Sequence, residues 1–136
     1  MFTRAALGNT KAVGDDAESR ALAWLLQQGL VLVRRNYRVA RGPHARGGEI
    51  DLIMRDHERE GQADGEAVLV FVEVRARSDA RHGGAAASVS ATKRARIVRT
   101  AQHYLMSLPS LPPCRFDVVA VQGDVIEWLR GAFDSS

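Results

Sequence analysis

The run Val68-Leu69-Val70-Phe71-Val72 constrains this chain more than any other segment. Its unbroken apolar, largely β-branched character suits a central strand buried on both faces, not one that alternates between core and solvent. A strand covered on both sides needs a layer of structure above it and another below. The run passes directly into Glu73-Val74-Arg75, and an earlier segment, Gly48-Glu49-Ile50-Asp51-Leu52-Ile53, also sets acidic residues among apolar ones. Buried carboxylates are costly unless something binds them. A core that tolerates them in neighbouring strands holds a metal, a cationic partner or a reaction.

The 136 residues suit a single domain. Met1 to Val13 reads as a flexible start. A helix is expected from Gly14-Asp15-Asp16, with Asp as cap, to Gly29 as the stop signal. Its apolar face carries Ala21, Leu22, Leu25 and Leu26, and Glu18 falls near the middle of that face. Either Glu18 points over a sheet into an acidic site, or its end of the helix is exposed. Strands follow over Leu30 to Val39, Glu49 to Arg55 and Ala67 to Arg77. The Gly- and Pro-containing stretch Arg41 to Gly48 reads as a turn, and Asp56 to Glu66 as an exposed loop. Ser78 to Ala87 is a further loop, and a second helix starts near Ser88 or Ser90. Strands over Arg115 to Val121 and Val125 to Leu129 pair as a hairpin across Gly123-Asp124. Only Phe133 is expected to be held in the tail, 131–136. The expected fold is α/β, a mixed sheet of about five strands flanked by helices in the order α-β-β-β-α-β-β, within one domain over 14–130.

Formal net charge is +3, and arginine supplies nearly all of the cations, Lys11 and Lys93 being the lysines. Arginine suits bidentate phosphate contacts, although GC-rich coding also favours it. Arg35 and Arg38 belong to a basic stretch that includes Arg34, Arg41 and Arg46. Lys93 and Arg94 open the second helix, ahead of Arg96 and Arg99. Helix starts attract phosphate through free N–H groups, so these cations suit nucleic acid. Solvated faces account for Arg96 and Arg99 equally well. Arg94 falls on the apolar stripe, where solvation is a poor explanation. Cys114 stands alone, and no Cys/His cluster has zinc spacing. No apolar run is long enough to span a membrane, so a cytoplasmic protein is expected.

Alternation along a strand puts Glu49, Asp51 and Ile53 on one face and Ile50, Leu52 and Met54 on the other. Phe71, Glu73 and Arg75 likewise share a face. If the two strands pair, Asp51 and Glu73 lie side by side with Arg75 one step along. Adjacent carboxylates repel unless a cation sits between them. A hard ion such as Mg²⁺, or Mn²⁺, suits oxygen ligands and stabilises charge on a phosphate under attack. A buried Arg75–carboxylate pair with no chemistry satisfies the same spacing.

These residues resemble those of the YraN family. The shared features are Gly14-x-x-x-Glu18-x-x-Ala21, Arg35-Asn36-Tyr37-Arg38, Gly48-Glu49-Ile50-Asp51-Leu52-Ile53, Val70-Phe71-Val72-Glu73-Val74-Arg75-x-Arg77, Lys93, Arg115-Phe116-Asp117-Val118-Val119 and Ala132-Phe133. The family is bacterial and widespread. It is grouped with the restriction-endonuclease-like superfamily and is similar to archaeal Holliday-junction resolvases. The resemblance implies a catalytic set of Glu18, Asp51, Glu73 and Arg75, with Asp51 and Glu73 as metal ligands. It also implies DNA as partner and, by analogy with resolvases, a homodimer. Arg75 departs from the pattern, because the superfamily carries Lys there. Arg stabilises charge but stays protonated and cannot act as a base. Three explanations stay open: the metal alone activates water, Lys93 substitutes from the helix, or the site binds without cutting.

The functional expectation is a Mg²⁺- or Mn²⁺-dependent nuclease acting on DNA, with branched or damaged structures as the favoured substrates. The alternative is an inactive nucleic-acid-binding module on a nuclease scaffold. In a third reading the buried charges only fix the fold.

Overall fold

Every residue from Val68 to Glu73 is buried, as the apolar run requires. The computed structural model describes residues 10–43, 45–57, 67–77 and 89–135. The loop expected at 78–87, Ser88 as a cap, residues 58–66 of the loop expected at 56–66 and residues 1–9 of the flexible start expected at 1–13 lie outside the described residues; Asp56, expected in an exposed loop, is instead buried at the end of the second strand. The elements are α1 (Thr10–Gln27), β1 (Val31–Gly42), β2 (Ala45–Asp56), β3 (Val68–Ala76), α2 (Ala91–Leu105), β4 (Cys114–Gln122) and β5 (Val125–Phe133). They form a five-stranded mixed sheet in the order β1-β2-β3-β4-β5. Only the β3–β4 pair is parallel, joined by the crossover through α2. This is the expected α-β-β-β-α-β-β order and is consistent with a nuclease-like fold.

The helices cover opposite faces. Ala17, Ala21 and Leu25 of α1 pack on Leu52, Met54, Val70, Val72 and Val119. Ile97 and Ala101 of α2 pack on Ile50, Ile53, Phe71 and Phe116. Each of the larger of these side chains contributes roughly 1.5–3 kcal/mol of burial energy, and β3 is the element both layers pack on. Among the described residues, no helix is long and apolar enough to cross a membrane.

Several boundaries differ from expectation. Helix α1 begins at Thr10, a turn before Gly14, so Asp15 and Asp16 are interior and do not cap it. An interior glycine costs about 1 kcal/mol relative to alanine, which a packed helix absorbs. Its far end stops as expected. Gly29 takes a φ of +100°, and the Leu30 N–H reaches back to the Leu25 carbonyl at 3.2 Å. Leu26 is exposed, so the apolar face is narrower than expected. The segment read as a turn at Arg41 to Gly48 is mostly ladder, with Arg41 opposite Arg46 and Gly42 opposite Ala45. Strand β5 continues to Phe133, whose ring stacks on Phe116 at 5.1 Å. Gly131, with a φ of +60°, lets the strand bend and carry on.

Ser90 caps α2, its hydroxyl accepting from the Lys93 N–H at 3.1 Å. The β1–β2 hairpin lies close against this helix. A Cβ at Gly48 would run into Oγ1 of Thr100, which is buried on the facing turn. Gly48→Ala is therefore expected to lower stability by about 1–3 kcal/mol in urea denaturation. Thr100→Ala in the same chain is expected to return at least about 0.5 kcal/mol of that loss. Strict additivity of the two changes would show that this approach is not tight.

Candidate active site at the parting of β2 and β3

The acidic residues of β2 and β3 meet where the two strands separate. Ladder pairing runs from Asp56–Val68 to Leu52–Val72 and stops there. One residue further, the Val74 N–H donates to the Asp51 carboxylate at 2.8 Å instead of to a strand carbonyl. The Asp51 side chain thus replaces a backbone partner at the fork.

The fork also corrects the expected alternation. Ile50 joins Ile53 on the α2 side, whereas Leu52 and Met54 face α1. Asp51 therefore sits where the two-residue period breaks. Between the pairs Arg35–Leu52 and Tyr37–Ile50, the β1 residue facing Asp51 is Asn36, and it has a φ of +53°. Asparagine is among the few residues that enter this left-handed region readily. A residue there rotates the strand locally, so the faces exchange. β3 keeps its alternation, with Phe71 facing α2 and Val72 facing α1, as expected.

Asp51 and Glu73 are in contact through their carboxyl groups. Burial, and then the Glu73 charge, push Asp51 up to about 8; Glu18 and Glu49 add to the rise, and the Val74 N–H opposes it. Burial also raises Glu73, against the opposing pull of Lys93, Arg75 and the hydrogen bonds to Asp51 and Lys93. Two adjacent carboxyls of this kind share a proton near neutral pH.

Two cations flank Glu73. Arg75 Nη1 and Lys93 Nζ each lie 3.6 Å from Oε2, the first from the same strand and the second from the first turn of α2. Glu18 reaches the same region from α1 and is half-buried, but its Oε1 is held by Arg35 Nη2 at 3.3 Å. Of the other cations expected to contact nucleic acid, Arg38 pairs with Glu49 at 2.8 Å. Arg94 donates to the Val89 carbonyl at 3.0 Å and lies over the Phe133 ring. Thus Asp51, Glu73, Arg75 and Lys93 come together, Glu18 stands beside them, and Arg35, Arg38 and Arg94 are engaged elsewhere.

A second buried charge cluster has a different character. Asp117 is fully buried and accepts from Arg115 Nε at 3.0 Å, Trp128 Nε1 at 2.9 Å and the Gly131 N–H at 3.0 Å. Arg115 also pairs with Asp56 at 2.8 Å. The β4–β5 register shifts between Phe116 and Val118, and Asp117 fills the break. Its oxygens are already taken by protein donors, so this cluster is a fastening between strands. Sequence order could not show it, because Asp56, Asp117 and Trp128 come from three strands.

No group of three His, Cys, Asp or Glu among the described residues is placed to bind a metal. The Asp51–Glu73 pair nevertheless suits Mg²⁺. That ion commonly takes one or two carboxylates and completes its shell with water and substrate phosphate. A cation would also relieve the repulsion that keeps a proton on the pair.

Known proteins match this chain closely. A UPF0102 protein of Methylibium petroleiphilum is 64% identical over 127 residues, covering 93% of this chain and 98% of the relative. One from Acidovorax is 53% identical over 127 residues, covering 93% of this chain and 88% of the relative. One from Albidiferax ferrireducens is 54% identical over 129 residues, covering 95% and 92%. The sequence profile described as "Uncharacterised protein family UPF0102" matches residues 17–121. The chain belongs to that family, UPF0102, which is the YraN family.

Proposed function

We propose that this protein is a metal-dependent nuclease acting on DNA. The observation that carries the reading is the contact at the fork between half-buried Asp51 and buried Glu73, with Arg75 and Lys93 at Glu73. Asp51 and Glu73 would hold Mg²⁺ or Mn²⁺, which when bound supplies positive charge to a phosphate under attack and acidifies water. Asp51 is kept in place by the Val74 N–H. The Arg75 guanidinium stabilises negative charge developing on the phosphate. Lys93 brings an amine to the position where the superfamily strand lysine is lacking, and it can orient the attacking water. Glu18, tethered by Arg35, adds negative potential behind the pair.

A panel of duplex, flap, junction and single-stranded DNA with Mg²⁺ or Mn²⁺ tests this. Asp51→Asn and Glu73→Gln are each expected to slow cleavage by about a thousandfold or more. Lys93→Arg is expected to cost roughly a hundredfold if amine chemistry is needed. Cleavage that persists in Asp51→Asn ends the nuclease reading.

Arg75 favours a second reading, in which the site binds DNA without cutting. Tight, salt-dependent binding with no cleavage on any substrate, unchanged by a chelator, would establish it.

A further inference from the structure

The arginines that the site leaves unused converge on one cleft. The β1–β2 hairpin stands over α2 and encloses about 1030 Å³ between Arg41, Gly48 and Glu49 on one wall and Lys93, Arg96 and Arg99 on the other. Arg41, Arg96 and Arg99 are exposed, and among the described residues none of them forms an ion pair. Glu49, the carboxylate of the lining, is already matched by Arg38 at 2.8 Å. The cleft thus carries a clear positive excess. At its edge the hairpin meets the helix so closely that Gly48 has no room for a Cβ against Thr100.

Lys93 links this cleft to the acidic pair. Lys93 lines it and also reaches Glu73 at 3.6 Å, while Glu49 lines it and adds to the charge felt by Asp51. Lys93, Arg96 and Arg99 recur along one side of α2. At 1.5 Å rise per residue they span about 9 Å. That reach spans neighbouring phosphates of one strand.

We propose that this cleft is the track for the phosphodiester backbone of a nucleic-acid strand, with Arg41, Arg96 and Arg99 as its phosphate contacts. The proposal rests on the nuclease reading for its direction, since the track leads to Asp51 and Glu73. The strand's phosphates face the guanidinium groups, and Lys93 marks the point where the track enters the reaction site.

The test uses the full chain and fluorescein-labelled 20-mers: DNA duplex, single-stranded DNA and RNA of the same sequence. Anisotropy is measured with chelator present across a salt series, and cleavage is measured in parallel with Mn²⁺. Arg41→Gln/Arg96→Gln is compared with the charge-matched pair Arg55→Gln/Arg130→Gln, which lies outside the cleft. Arg99→Gln serves as an independent third variant. The slope of log K against log salt is expected to flatten by about 2 in the cleft pair and about 1 in Arg99→Gln, and to stay unchanged in the control pair. Whichever probe shows that change identifies the strand, DNA or RNA. Wild-type binding that neither cleft variant alters, equal changes in cleft and control pairs, or no wild-type binding at low salt would each overturn the track. Cleavage abolished by Asp51→Asn but binding indifferent to the cleft removes this proposal alone. Cleft-dependent binding with no cleavage removes the nuclease reading alone.

Discussion

At about pH 8, Asp51→Asn protein is expected to melt roughly 20 °C above the wild type. The reason is linkage. Asp51 lies at about 8 when folded, against an ordinary 3.8, because burial and Glu73 favour its protonated form. Below about pH 4 it is protonated in both states and its contribution to stability is fully present. Between about 4 and 8 the unfolded chain has released this proton while the folded chain keeps it, so stability falls as pH rises. The contribution is lost once pH passes the folded value. Each pH interval of one between the unfolded and folded values corresponds to about 1.4 kcal/mol, so a loss of about 5 kcal/mol is expected over the window. One kcal/mol corresponds to roughly 4 °C in a chain of this size. Asparagine copies the shape of the protonated side chain and can still accept from Val74. The gap between variant and wild type therefore opens from near zero at about pH 4 and is complete above about pH 8. Mn²⁺ or Mg²⁺ is expected to narrow it by stabilising only the wild type, by about 2.7 kcal/mol at a hundred times the dissociation constant. Calorimetry in matched buffers measures all of this. A variant that melts below the wild type at every pH would show that Asp51 fastens the fold and is not strained within it.

Asp117→Ala has the opposite sign and a comparable effect. Asp117 is fully buried, and its removal takes one of two carboxylates from the Arg115 guanidinium and strips the Trp128 indole N–H and the Gly131 N–H of their acceptor. Removing one partner of a buried charge pair costs about 3–5 kcal/mol. The melting temperature is expected to fall by roughly 10–20 °C, and divalent ions are not expected to restore it. A loss below about 1 kcal/mol would mean that the cluster fastens nothing.

These contrasting aspartates show what the sequence made legible. Burial of β3 follows from composition, since no other arrangement satisfies five apolar residues in a row. The meeting of Asp51, Glu73 and Arg75 follows from the two-residue period and one assumption about pairing. The Ser90 cap follows from local chemistry. Long-range geometry was not legible. The left-handed Asn36 that breaks the alternation at Asp51 is an ordinary residue in sequence. Arg35 reads as a phosphate contact, and its ion pair with Glu18, on a separate element, is not visible in the sequence. Arg96 and Arg99 suit a solvated face until the hairpin comes to stand over α2. In each case the deciding partner lies far away along the chain, where periodicity carries no information.

The fork has a spectroscopic consequence. On one side of it the β3 amides are tied to neighbouring strands, but the Val74 N–H ends on the Asp51 carboxylate. That amide proton feels directly whether the carboxylate is charged, protonated or shared with a cation. In a ¹⁵N-labelled sample its resonance is expected to move with pH near 8 and again on titration with Mg²⁺, while Val70 and Val72 stay still. A single backbone signal would then follow the occupancy of the site without any substrate present.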